Sequence, residues 1–234
     1  MSEETSCLNK QITASSPEDI IKALPLMLGV ALSGKDDALR RYGVMGLLAV
    51  SLRLDGVALL NEHLPAIASL LDSHDAPIQR MAVVMISTAE SRQRSPAPLQ
   101  ALTSFLKRTD RDLQAQASAV SVLAGPGVDD DAVAAIDQFL ARDLDSNTRV
   151  GSLYGLTSPD LILHPKIISR MITLLSNGDV TVKITATNSL TKIGPQALLL
   201  AEPALMKLAE DSASPESVRS AAKTALGKIG RKVE

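Results

Sequence analysis

The chain has 234 residues, of which 45% are hydrophobic and only 2% aromatic, with no Trp, a formal net charge of −2 and an isoelectric point near 6.0. That length buries a sizeable core as one large or two small domains, and the composition excludes a disordered chain. A core of Leu, Ile, Val, Met and Ala favours close helix packing over a sandwich or barrel, and the slight acidity excludes a global pull toward nucleic acid.

Residues 1–15 are polar and read as a frayed N-terminal tail. Met1 to Ser6 has neither the basic nor the apolar region of a signal peptide. The longest near-apolar stretch, Leu24 to Leu32, is far too short to span a bilayer. The single cysteine, Cys7, excludes an internal disulfide framework and reads as a bystander in the tail. A reduced setting and no membrane segment make the expected location cytoplasmic.

The array begins at Ser16-Pro17-Glu18-Asp19, which has a capping Ser, Pro in the first turn and acids beside it. Six segments then repeat one helix-pair pattern. Their first helices carry Leu24/Leu28/Leu32, Leu64/Ile67/Leu71, Leu99/Leu102/Leu106, Val133/Ile136/Leu140, Ile168/Ile172/Leu175 and Leu205/Leu208. Turns such as Ser33-Gly34-Lys35-Asp36, Ser73-His74-Asp75 and Ser176-Asn177-Gly178-Asp179 lead to second helices. Each second helix opens on an anchor: Leu39, Ile78, Leu113, Thr148, Val182 and Val218, in steps of 39, 35, 35, 34 and 36 residues.

Four residues after each anchor stands a small residue: Gly43, Ala82, Ala117, Ser152, Ala186 and Ala222. Eight after it stand Leu47, Ile86, Ser121, Leu156, Leu190 and Leu226. Anchor, small and large at that spacing form one buried stripe of an amphipathic helix, with the small residue admitting a neighbouring helix. A period of this size marks a stacked-repeat architecture. The β-branched run Val180 to Thr185 alternates like a strand, but it falls at the start of the fifth second helix and is read as helix. Gly125-Pro126-Gly127 is the strongest break, either an inter-repeat turn or a hinge near 125–127. Pro159 cuts the fourth second helix short.

The pattern resembles HEAT repeats, and Val218 to Gly230 resembles the subtype found in phycobilisome lyases. The resemblance implies an all-α solenoid of about six HEAT-like helix pairs, wound as a right-handed superhelix over residues 16–230, with 231–234 as a C-terminal tail. HEAT repeats usually place a basic residue just after the anchor. Arg40, Arg149, Lys183 and Arg219 fit, but Gln79 and Gln114 replace it, so the inter-repeat polar ladder is expected to break in repeats two and three. The resemblance also implies that the second helices line the concave side.

Positions two, six and nine after each anchor lie opposite the buried stripe. Arg41, Met45, Arg80, Val84, Ala119, Val122, Tyr154 and Asn188 are the candidate binding residues among them. No acid occurs in these columns, and Arg41 and Arg80 are their only charges. The expected partner is another protein, offering an apolar or acidic peptide or helix, with Tyr154 as hot spot and Arg41 and Arg80 meeting its acids; the same columns read alternatively as tight packing within a strongly curved superhelix or as a self-association surface.

No HExxH, CxxC, GxSxG or P-loop pattern occurs, and His63, His74 and His164 have no metal-ligand spacing. No enzyme activity, cofactor or metal is expected. Asp129-Asp130-Asp131 reads as acids favouring a helix N-terminus. Lys107, Arg108 and Arg111 with Arg92 and Arg94 read as a solvated basic rim. The alternatives are an accessory subunit of an enzyme complex, of the phycobilin lyase type, and weak nucleic-acid binding through that rim, which the lack of an aromatic platform disfavours.

Overall fold

Five aspartates set the frame of the array. Asp36, Asp75, Asp112, Asp145 and Asp179 each accept a hydrogen bond from the backbone N–H three residues on, at Leu39, Ile78, Ala115, Thr148 and Val182. Each carboxylate thereby satisfies an orphan donor at a second-helix start. The computed structural model describes residues 11–12, 14–53, 55–90 and 96–231. Cys7, Arg92, Arg94 and most of the C-terminal tail lie outside these residues.

The chain divides into two compact units, Met1–Ala115 and Gln116–Glu234. The first holds α1 (Pro17–Ser33), α2 (Asp37–Ser51), α3 (Gly56–Leu60), α4 (Leu64–Ser69), α5 (Ala76–Glu90) and α6 (Pro96–Lys107). Short 3-10 turns at Asn61–His63 and Leu70–Asp72 make α3 and α4 one interrupted first helix. Helix α7 (Leu113–Leu123) begins in this unit and carries the chain into the next. Helix α1 packs on α2, α2 on α5, and α4 on both α5 and α6. Arg53 donates to the carbonyls of Ile12 and Ser15, and Ile12 is buried.

The second unit holds α8 (Asp130–Leu140), α9 (Ser146–Gly155), α10 (Pro165–Asn177), α11 (Val180–Ile193), α12 (Pro195–Glu210) and α13 (Glu216–Lys228). First helices stack on first helices, α8 on α10 and α10 on α12. Second helices stack on second helices, α9 on α11 and α11 on α13. This is an all-α repeat solenoid of about twelve helices in stacked pairs, as the periodicity implies. The strand-like run is the start of α11, and Pro159 opens a 3-10 turn, Pro159–Leu163, after α9 has ended at Gly155. The Gly125-Pro126-Gly127 turn lies within the second unit, where the Gly127 N–H donates to Asp160 at 3.0 Å.

All six small-column residues are buried. Gly43 shows why size matters: a Cβ there would stand 2.6 Å from the Ala31 nitrogen and 2.9 Å from the Met27 carbonyl oxygen, so α1 and α2 meet backbone to backbone. In the large column Leu47, Ile86, Leu156, Leu190 and Leu226 are fully buried, but Ser121 is exposed.

Repeat three therefore has a different frame. The Asp112 cap makes Ala115 the anchor, whereas the Asp36 cap keeps Leu39 as the anchor of repeat one although Leu39 is 39% exposed, against the buried position expected of it, much as Leu113 is at 37%. Counting from Ala115, Ala119 and Leu123 fall in the small and large columns, and both are buried. In this frame all six large positions are apolar and buried. The adjacent position becomes Gln116, also buried, in place of Gln114.

Candidate protein-binding face

The frame correction removes two candidate site residues. Ala119 and Val122 lie in the core, 0% and 9% exposed, because α7 turns that side inward. Ser121 takes the corresponding outward column. Arg41, Arg80, Val84, Tyr154 and Asn188 are exposed, and Met45 is half-buried.

In the first unit Arg41 and Arg80 are already engaged. Arg41 reaches Asp75 through Nε and Nη2 at 2.8 and 2.5 Å. Arg80 grips Asp112 with two bonds of 2.7 Å. Each pair, Arg41 with both bonds on Asp75 Oδ2 and Arg80 bidentate across both oxygens of Asp112, ties one second helix to the aspartate that caps the next. The guanidinium of Arg80 holds the Asp112 carboxyl below its ordinary value. At Asp75 burial alone would raise the carboxyl, but the bonds from Arg41 and the Ile78 N–H outweigh it and the net direction is down. These two arginines are structural rungs, and an acidic ligand would have to compete with Asp75 and Asp112 for them.

The ladder is not broken at Gln79. Its buried amide donates to the Ser73 carbonyl, and its Oε1 accepts the Asp112 N–H at 2.9 Å. A primary amide offers both donor and acceptor, so it makes a neutral rung. Arg40 makes its own rung to the Ser73 hydroxyl at 3.4 Å. In the second unit Gln116 accepts from Arg142 at 3.1 Å, and Ser146 donates to Asp179.

Two of the described rim residues, Arg108 and Arg111, are also committed. Arg108 pairs with Asp72 and Asp110, and the Arg111 side chain is buried rather than solvated, within reach of His74 Nδ1 and Asp110. Asp129 caps α8 by accepting the Ala132 N–H at 2.7 Å. His164 stands at the start of α10, 3.8 Å from Asp130. Among the described residues no group of three or more His, Cys, Asp or Glu side chains could hold a metal, and no helix is long and apolar enough to cross a membrane.

What stays unmatched is apolar. In the second unit Tyr154 on α9 is 64% exposed, between an exposed Gly151 and a half-buried Gly155. The tight fit behind it is backbone-deep, since a Cβ on Gly155 would collide with Ser121. Equivalent positions on the stacked helices carry Asn188 on α11 and Thr224 on α13, both exposed, with Val150 and Ile184 half-buried one turn earlier. In the first unit the sequence columns missed Tyr42, which is 52% exposed beside Arg41. It is the only other tyrosine, three residues after its anchor, and its aromatic character was the available signal.

No protein-family model and no curated protein matches the chain. Solved structures match its fold. The archaeal HEAT-like repeats protein from Thermococcus onnurineus NA1 is 19% identical, with a TM-score of 0.56 over 98% of this chain and 97% of its own. A designed armadillo repeat protein is 18% identical, with a TM-score of 0.59 over 88% of this chain and 99% of its own. A second, solved in complex with the peptide (KR)4, has the same TM-score at 19% identity, over 88% and 99%. The fold is therefore a repeat solenoid of the HEAT and armadillo type. The likeness reaches that architecture and does not extend to the phycobilisome-lyase subtype that the last repeat resembles.

Proposed function

We propose that this protein is a non-enzymatic, cytoplasmic interaction module that holds a segment of a partner protein on its second-helix face. The observation that carries this reading is Tyr154, an aromatic side chain left 64% exposed on a helix whose other side is packed to backbone contact. Large apolar side chains are left uncovered at a cost, and a tyrosine offers contact area at a small loss of side-chain entropy. Tyr154 is the proposed hot spot, with Asn188 supplying hydrogen bonds along the row.

The chemistry of the partner segment follows from the charges. A designed armadillo repeat protein carries the basic peptide (KR)4. The outward columns of this chain hold no acid, so a basic peptide has nothing to pair with here. The arginine charges are matched internally by Asp75 and Asp112. The proposed ligand is accordingly an apolar, largely uncharged peptide or amphipathic helix rather than an acidic one.

Crosslinking affinity capture from the source cell, with wild type and Tyr154→Arg as parallel baits, tests this. Tyr154→Arg should leave folding stability within about 0.5 kcal/mol, as for an exposed position. A stoichiometric partner held by the wild type should be lost. A partner retained equally by both baits would move the site elsewhere.

A further inference from the structure

The link between α10 and α11 is two residues long, Gly178 and Asp179, and Asn177 closes α10 just before it. Gly178 is fixed by packing. A Cβ there would stand 2.6 Å from the Leu174 carbonyl oxygen and 2.7 Å from Cγ1 of Val182, the fully buried anchor of α11. Asn177 is not fixed in this way. It is exposed, and among the described residues its side-chain amide has no hydrogen-bond partner. Repeat one builds the same link with Ser33 before Gly34, where a Cβ would again stand 2.6 Å from a backbone oxygen, that of Val30. The fold therefore needs the glycine and not the asparagine. Of the five asparagines in the chain, Asn177 alone is followed by glycine.

We propose that Asn177-Gly178 is a spontaneous deamidation site, gated by the hydrogen bond that closes α10. The Gly178 nitrogen gives up its proton and attacks Cγ of Asn177. The new N–Cγ bond closes a succinimide ring as the Cγ–Nδ2 bond breaks, and ammonia leaves with that proton. Water then opens the ring at either carbonyl. Opening at Cγ leaves an aspartate, and opening at the main-chain carbon leaves an isoaspartate, whose backbone runs through Cβ. The protein exchanges ammonia for water, and water is the one co-reactant. Glycine favours the attack because its nitrogen carries no neighbouring side chain to obstruct the approach.

In the fold the Gly178 N–H donates to the Leu174 carbonyl at 2.9 Å. A proton held there is not free to leave, just as it is slow to exchange, so the attack waits until this bond opens. Helix ends open at a small cost in free energy, so the reaction is slowed rather than forbidden. Its products work against the link. A carboxylate at position 177 stands at the negative end of α10, two residues from Asp179. An isoaspartate lengthens the chain beside Asp179, which caps α11 through the Val182 N–H and accepts the Ser146 hydroxyl at the start of α9. Either product loosens the packing of α11 on α9 and α10.

Peptide mapping by mass spectrometry tests this on the full folded chain, aged in mildly alkaline buffer. Asn177 should convert before any other asparagine, at least about tenfold more slowly than in the same chain held in urea. Asp179→Ala removes the adjacent cap and should speed conversion in buffer about fivefold, with its own rate in urea correcting for altered intrinsic reactivity. Asn177→Ser, the arrangement of repeat one, should keep its urea midpoint on ageing, while the midpoint of the wild type falls as the products accumulate. Equal rates in buffer and urea, or no effect of Asp179→Ala in buffer, would show that the fold does not gate the attack and overturn the proposal. So would conversion first at another asparagine, an Asn177 that stays intact in buffer, or a converted protein with the midpoint of the fresh one. None of these readings involves Tyr154, so this inference and the proposed function stand or fall separately.

Discussion

Replacing Gly43 with leucine should cost the first unit about 3 kcal/mol or more, and replacing it with alanine about 2. The Cβ itself is the obstacle, since it would press on the Ala31 nitrogen and the Met27 carbonyl oxygen, which are backbone and cannot swing aside. Helices α1 and α2 would have to separate, loosening Leu24, Leu28 and Leu47 at once, all of which are buried. Both side chains recover up to about 1 kcal/mol of helix propensity over glycine, and alanine loses less because it adds the Cβ alone, without the further carbons of leucine. Gly227 is the control. A Cβ there meets nothing within 4 Å, so Gly227→Ala should stabilise by about 0.5 kcal/mol. Urea unfolding followed by circular dichroism separates the cases. A Gly43→Leu protein with wild-type stability would mean that the helices do not meet through backbone at this point.

Asp75→Ala should destabilise the first unit by about 2 kcal/mol, about half from the lost helix cap. The rest comes from releasing Arg41 from a carboxylate whose side chain is 3% exposed. Arg41 is itself half in solvent, so it rehydrates and the loss stays below that of a fully buried pair. The same carboxylates give stability a pH dependence. Asp75 and Asp112 are held below their ordinary values in the folded state, so at acid pH the unfolded chain binds more protons. Their contribution is complete above about pH 4 and falls as pH drops through their lowered values. Urea midpoints measured from pH 7 down to about 2.5 should decline in that window, and the decline should be shallower in Asp112→Asn. A midpoint that holds constant down to the lowest pH would show that these carboxylates are not preferentially ionised in the fold.

Much of the fold is legible in the residues because the helix pairs contrast with themselves. Where a small residue at four and a large one at eight stand on an otherwise polar helix, as in Val218 to Leu226, the buried stripe declares itself. Helix α7 has no such contrast. Gln114-Ala115-Gln116-Ala117-Ser118-Ala119 offers small residues on every side, and Ala117 satisfies the small column in the wrong frame as well as Ala119 does in the right one. The correcting signal was the aspartate three residues before the anchor, present at Asp36, Asp75, Asp145 and Asp179 and pointing to Ala115 through Asp112.

The site was less legible than the fold. Tyr154 and Asn188 lie at exposed positions, as the columns imply. The engagement of Arg41 and Arg80 could not be read locally, because their partners stand 34 and 32 residues away and meet them only when repeats stack in register. Gln79 misled for a related reason: matching it against a basic consensus ignores that an amide can both donate and accept in a buried place.

The Arg–Asp rungs also bear on how such a chain can change length. Arg41 and Arg80 each lie a few residues downstream of the aspartate that caps their own helix, and each reaches forward to the aspartate capping the next. A segment cut from one capping aspartate to the following one therefore carries one incoming and one outgoing connector. Tandem duplication of such a segment reproduces a complete rung at the new junction, and its excision rejoins the two that flanked it. At these two rungs of the first unit, a repeat gained or lost in a single genetic step needs no compensating arginine or aspartate at the seam.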